Sequence, residues 1–229
     1  MTAHRPLVRE VNAVFDFIEK PYTPVNFKEL LVSPNDMRKR LITLINKEIK
    51  NKEQGKEAYI LAKVNHITDR ALIEKLYEAS TAGVQVELVV RGNCSLVTGI
   101  AGISENIHIN GIIDRYLEHS RIFIFANGGE EKYYIGSADW MPRNLDNRIE
   151  VLAPVYDKEI QADLKRIVCY GYRDTAKGRI VDGTGENRPW ENRPSTLCKD
   201  FTPALAEAET ATVVFRSQEE LYRKYKNTL

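Results

Sequence analysis

Reactive side chains are densest between residues 115 and 151. There the sequence runs RYLEHSRIFIFANGG and, past a short turn, YYIGSADWMPRNLDNRIEV. His119 is placed to act as a nucleophile or as an acid/base, because an unperturbed imidazole titrates near neutrality, at about 6.5. Arg121 follows two residues later and shares the strand face of His119 by the period-two rule. Its guanidinium is expected to hold two non-bridging phosphate oxygens through parallel hydrogen bonds. Ser137, after Gly136, can offer a hydroxyl and backbone N–H groups to the same anion, with small residues letting the backbone approach it. Asp139, Arg143 and Glu150 complete an ordered charged set, and together these are the parts of a phosphate pocket. Other residues take plainer readings. His4, His66 and His108 are ordinary surface or core histidines, Gly83 and Gly92 serve the backbone, and Trp140 is a core or interface anchor. Arg143 and Arg148 fit a surface role as well as a pocket role.

The elements that must position these groups are legible from periodicity. Leu7, Val11, Val14, Phe15 and Ile18 recur at helical spacing and stop before Pro21, predicting an amphipathic helix. A short strand at 30–32 leads through Ser33-Pro34 into a helix at 35–51, with a stripe of Met37, Leu41, Leu44, Ile45 and Ile49. Its other face carries Arg38, Lys39, Arg40, Lys47 and Lys50, read as a solvated face. A βαβ unit follows: strand 58–64, helix 69–82 stopped by Gly83, and strand 86–90 ending at Arg91-Gly92. Strands this rich in Val, Ile and Leu predict a parallel pair buried on both faces. The loop at 93–105 then lies at the C-terminal edge of the sheet, where α/β folds bind ligands. Strands at 107–113, 121–125, 133–135 and 149–152 follow, with a hairpin turn at Asn127-Gly128-Gly129. A helix at 158–172 closes the unit. Beyond Asp182 the sequence turns to Gly, Pro, Asn and Thr. Glu186-Asn187-Arg188-Pro189 is repeated as Glu191-Asn192-Arg193-Pro194 in a surface excursion, before a last helix at 217–226. The expected organisation is a lead-in helix and strand (1–34), a catalytic α/β domain (35–182) and an extension packed on it (183–229).

Composition narrows the partners. The 229 residues, 43% hydrophobic and 28% charged, suffice for one sizeable core. Thirty-three basic against 32 acidic residues leave a net charge of +1. That balance excludes a surface built to grip polyanions everywhere, so anion contact must be local and nucleic acid is not an expected partner. Cys94, Cys169 and Cys198 are far apart and show no C-x-x-C spacing, which implies neither a disulfide framework nor a zinc site and fits a reducing cytoplasm. No apolar run approaches 18 residues and the first ten are charged, so an integral membrane segment and a signal peptide are not expected.

The order H-x-R, G-S-A-D and N-x-x-E (Asn147 to Glu150) resembles one half of the phospholipase D superfamily signature, H-x-K-x4-D followed by G-S-x-N and a later glutamate. Arg121 stands for the lysine, Ala126 for the aspartate and Asp139 for the asparagine, which argues against phospholipid or DNA hydrolysis. The departures are similar to the polyphosphate kinase branch of the long, histidine-phosphorylated type. Its pattern is matched by LEHSRIF (117–123), NGG (127–129), YIGSADWM (134–141), RNLD (143–146), ALIEKLYEASTAGVQVELVVRG (71–92) and GISENI (102–107). The similarity covers about 7–172.

The resemblance implies a phospholipase D-like α/β fold, a mixed sheet with helices on both faces, forming a single half-site domain. It implies reversible transfer of the ATP γ-phosphate to inorganic polyphosphate through a phosphohistidine, with Mg²⁺. The phosphohistidine, the nucleotide-contacting tyrosine and the Mg²⁺ ligands belong to the preceding domain, so no metal ligand is assigned here and the chain reads as an excised domain, inactive alone. Arg91 matches the arginine that contacts nucleotide phosphate, and His119 matches the second active-site histidine. The loop after Arg91 departs from the family in carrying Val97-Thr98 where some members have Arg-Pro. The implied partners are ATP or ADP, polyphosphate and the upstream domains of the same polypeptide, in a cytoplasmic protein whose membrane association, if any, runs through partners. A homo-oligomer stays open. Two readings stand beside this one: a phosphodiesterase or nuclease completed by homodimerisation, and a non-catalytic nucleotide- or polyphosphate-binding module.

Overall fold

The structure is a computed structural model and describes residues 2–22, 24–191, 195, 197–201 and 214–226. Helix α1 (Arg5–Glu19) precedes β1 (Leu31–Ser33) and α2 (Met37–Glu53), separated by a cis Ser33–Pro34 bond. The βαβ unit is β2 (Tyr59–Val64), α3 (Arg70–Thr81) and β3 (Gln85–Val90). Then come β4 (Ile107–Ile112), β5 (Arg121–Phe125), β6 (Lys132–Gly136), β7 (Glu150–Val155), α4 (Lys158–Tyr172), β8 (Gly178–Ile180) and α5 (Ser217–Lys226). All eight strands form one sheet in the order β1-β7-β6-β5-β2-β3-β4-β8. β2, β3 and β4 run parallel, and the remaining neighbours are antiparallel.

The sheet is mixed because of how its strands are joined. Parallel β2 and β3 need the α3 crossover, whereas β5 and β6 return directly through the Asn127–Gly129 turn. Central β2 is buried along its whole length. Ile60, Ala62 and Val64 pack with Leu41 and Ile45 of α2 and Leu72 and Leu76 of α3. Tyr59 and Leu61 pack with Val168, Cys169 and Tyr172 of α4 on the opposite face. On that same face, α1 lays Leu7, Val14 and Phe17 against Leu30 and Val32. Trp140 is fully buried and stacks on Phe123 at 5.3 Å, as an anchor does.

Three expectations need correction. The basic face of α2 is not simply solvated: Arg40 donates to the carbonyls of Phe27, Lys28 and Leu30, and Arg38 bridges Asp69 and Asp146. Backbone carbonyls left over where the chain enters β1 supply partners that helical periodicity cannot reveal. Cys169 and Cys198 form a disulfide, because the excursion folds back over α4 until their Cα atoms are 5.3 Å apart. Just ahead of the excursion the chain adds β8, which pairs with β4 and had no signature of its own. The first copy of the repeated tetrapeptide runs beside β8, where Ile180 N donates to Arg188 O; of the second copy, Glu191 to Pro194, the last three residues lie outside the described residues.

Candidate active site

Strand directions bring the C-terminal ends of β2, β3 and β6 and the start of β5 to one sheet edge. Asn65, the residue after β2, is 1% exposed and ties that edge together. Its backbone N–H donates to Asp139 Oδ1 at 2.8 Å, and its Nδ2 donates to the same oxygen at 3.1 Å. Arg121, opening β5, closes on the same carboxylate with Nε to Oδ1 at 3.2 Å and Nη2 to Oδ2 at 3.0 Å. On its other side Asn65 Oδ1 accepts from Arg91 Nε at 2.6 Å. Arg121 Nη1 then lies 3.0 Å from His119 Nδ1 and donates to the His119 carbonyl at 2.9 Å. One hydrogen-bonded path therefore runs Arg91, Asn65, Asp139, Arg121, His119.

The chemistry of the path follows from its donors and acceptors. A guanidinium only donates, so His119 Nδ1 must accept, and the neutral ring carries its proton on Nε2. His119 is exposed, which leaves that N–H open to a ligand. Burial acts to raise the Asp139 carboxyl, but the bonds from Arg121 and Asn65 outweigh it and hold it below the usual range. The Arg121–Asp139 pair is therefore a charged clamp, with side chains only 11% and 5% exposed.

This geometry revises the roles read for several residues. Arg121 spends its bidentate face on Asp139 and two further N–H groups on His119, so of five guanidinium N–H groups one is left. Asp139 lies 18 residues downstream, and strand periodicity alone could not have named it as the partner. Ser137 meets β7 on both sides: its N–H donates to Val151 O at 3.2 Å and its Oγ accepts from Val151 N at 3.3 Å. Gly136 likewise serves strand pairing, since a Cβ there would fall 1.9 Å from Val151 O. Glu150 accepts from Asn144 Nδ2 at 2.6 Å, and its N–H donates to Ser33 Oγ, so it fastens the π-helical turn Arg143–Asn147. Arg143 is exposed on that turn.

Asn65 escaped the sequence reading, as did Lys63 and Glu118, which form an ion pair beneath the loop leading to His119. A polar run interrupting an apolar strand, Lys63 and then Asn65, was the available signal. His66 accepts from Asn93 N at 2.9 Å, and Gly92 leaves the room its ring needs: a Cβ there would lie 2.4 Å from the imidazole. Burial pushes the Cys94 thiol up to about 11, which makes it unreactive at neutral pH. Magnesium does not fit this donor set. Asp139 is occupied by Arg121 and Asn65, Glu118 by Lys63 and Gln218, and Glu150 by Asn144. Among the described residues no helix is long and apolar enough to cross a membrane.

A mixed α/β sheet that gathers two arginines, an aspartate and an exposed imidazole at its strand ends defines the class: an α/β domain with an arginine-braced histidine at the sheet edge. Comparison with known proteins makes this specific. The model of Polyphosphate kinase C-terminal domain 2 matches residues 30–199, and the chain belongs to that family. A polyphosphate kinase of Escherichia coli (strain K12) is 46% identical over 215 residues, covering 91% of this chain and 31% of its own length. One from Vibrio vulnificus (strain YJ016) is 48% identical over 182 residues, covering 80% of this chain and 26% of its own. The crystal structure of polyphosphate kinase from Porphyromonas gingivalis superposes with a TM-score of 0.84 at 37% identity, over 100% of this chain and 32% of that one. The chain thus spans about a quarter to a third of the length of these relatives.

Proposed function

We propose that this chain is the C-terminal catalytic half of a polyphosphate kinase, with residues 35–182 as the catalytic unit. The observation that carries this is the path from Arg91 to His119 in a chain of this family. Phosphoryl transfer needs alignment and neutralisation of spreading negative charge more than covalent help from the protein. Arg91 supplies positive charge for a nucleotide phosphate. His119, its Nδ1 occupied by Arg121, presents Nε2–H as a hydrogen-bond donor or general acid to the phosphoryl group in transit. The nucleophilic histidine and the Mg²⁺ ligands come from the upstream portion of the longer polypeptide, in a cytoplasmic enzyme acting on ATP and polyphosphate. When Mg²⁺ is bound there it neutralises phosphate charge.

The test mixes this chain with the separately made upstream portion and follows labelled γ-phosphate into polyphosphate. Label is expected in polymer only from the mixture. Incorporation by the upstream portion alone, unchanged when this chain is added, overturns the proposal.

A further inference from the structure

The C-terminal helix lies beyond the residues matched by the family model, yet it grips the loop that delivers His119. Gln218, in the first turn of α5, accepts from Tyr116 N at 2.9 Å and donates to Tyr116 O at 2.8 Å. The same Nε2 donates to Glu118 Oε1 at 2.9 Å. A carboxamide holds both a donor and an acceptor, so one side chain satisfies both backbone groups of Tyr116 as a neighbouring strand would. The other Glu118 oxygen is taken by Lys63 of β2, whose side chain is 6% exposed. The loop is thus held from α5 on one side and from the sheet on the other, one residue short of His119.

Hydrogen bonding must do this work because apolar burial does not. Tyr116 and Leu117 are 60% and 76% exposed. The start of α5 is itself fixed. Ser217 N and Oγ both donate to Asp174 Oδ2 at 2.7 Å, and Asp174 is fully buried. Arg216 donates to both oxygens of Asp114, at 2.9 and 2.6 Å, four residues before Glu118. Asp114 is held below its usual value, chiefly by that hydrogen bond from Arg216. The contacts that Arg216 and Gln218 make with Asp114, Tyr116 and Glu118 span 100 to 102 residues of sequence and meet on one short loop.

We propose that Gln218 is a positioning residue for His119: through Tyr116 and Glu118 it sets where the imidazole stands relative to Arg121. The placement rests on the contacts above alone, and its effect on turnover rests on the phosphoryl-transfer reading.

The readout is the pair of ¹⁵N and ¹³C imidazole resonances of His119 in the labelled chain. Gln218→Ala is expected to shift them and to move amides of residues 116–120, while those of β2, β3 and α4 stay in place. Gln218→Glu alone sets two carboxylates against each other and is expected to shift them at least as far. Combining Gln218→Glu with Glu118→Gln exchanges donor and acceptor between those two side chains while Tyr116 O stays without its donor, and is expected to return His119 part of the way to its wild-type resonances. In the polypeptide carrying the upstream portion, Gln218→Ala should lower kcat about three- to tenfold with KM for ATP unchanged, as loss of one or two hydrogen bonds acting only on the transition state does. A His119 spectrum indifferent to Gln218→Ala overturns the proposal, as does a folded double variant whose His119 resonances lie no nearer to wild type than those of Gln218→Glu alone. Unchanged kcat beside a shifted spectrum removes the catalytic role and leaves the placement. Intact turnover in His119→Ala removes the phosphoryl-transfer reading without touching the spectra.

Discussion

Asp139, at the sheet edge, and Glu87, on the face beneath the C-terminal excursion, are equally hidden, each 4% exposed, yet burial ends differently for the two. Asp139 has a guanidinium and two N–H groups of Asn65 within reach and stays charged. Glu87 accepts from the Ser195 hydroxyl at 2.7 Å, and burial, opposed by that one bond, pushes its carboxyl up to about 7. Depth alone therefore does not decide charge; the number and sign of the partners do. The edge is assembled from groups that several strands deliver to one point. The face under the excursion gives Glu87 a hydroxyl as its hydrogen-bond donor among the described residues.

The contrast can be broken most forcefully at Asp139. Asp139→Ala leaves Arg121 buried without its counter-charge and is expected to cost about 3–5 kcal/mol in urea unfolding. Asp139→Asn, which keeps the shape and part of the hydrogen bonding, should cost less; no measurable loss in Asp139→Asn would show that charge is not what Arg121 needs. Next in size, His119→Ala in the longer polypeptide should reduce ATP-dependent polyphosphate formation by at least about a hundredfold, the scale of a general acid. Near-normal turnover would remove His119 from the mechanism.

Glu87 sharpens the comparison through its sign. Its carboxyl titrates near 7 in the folded chain against 4.5 for the free group, so the stability linked to its proton is fully present below about pH 4.5 and lost as pH rises through 7. Glu87→Gln should abolish that loss, making the chain more stable than wild type at pH 8 by on the order of 3 kcal/mol and level with it near pH 4. Asp139, shifted the other way, contributes above 3.8 and loses its contribution as pH falls below that. Matching pH profiles for Asp139→Asn and Glu87→Gln would contradict the opposite shifts. Smallest of all, Arg143→Ala on its exposed turn should change unfolding free energy by less than about 0.5 kcal/mol.

Much of this was legible in the sequence where local rules decide the outcome. The βαβ unit, the hairpin at Asn127-Gly128-Gly129 and α5 follow from apolar period and turn residues, and strand ends are off by one to three residues where pairing rather than composition sets the limit. His119 and Arg91 were visible as motif residues. Their connection was not, because Asn65 is an ordinary polar residue until β2, β3 and β6 end side by side. Arg121 was given a phosphate because a strand face knows nothing of a carboxylate on a later turn. The Cys169–Cys198 link depends on the excursion doubling back, which no spacing encodes. The same holds for Gln218, whose partners lie 100 and 102 residues away.

Gly136 has a wider effect than its size suggests. The return hairpin and its neighbour touch there with no room for a methyl group, so the loop carrying Asp139 takes its position from that contact rather than from its own turn. Even an alanine would prise β6 from β7 at that point. The displacement would pass along the carboxylate and the guanidinium to the imidazole, several bonds from where the extra carbon was introduced.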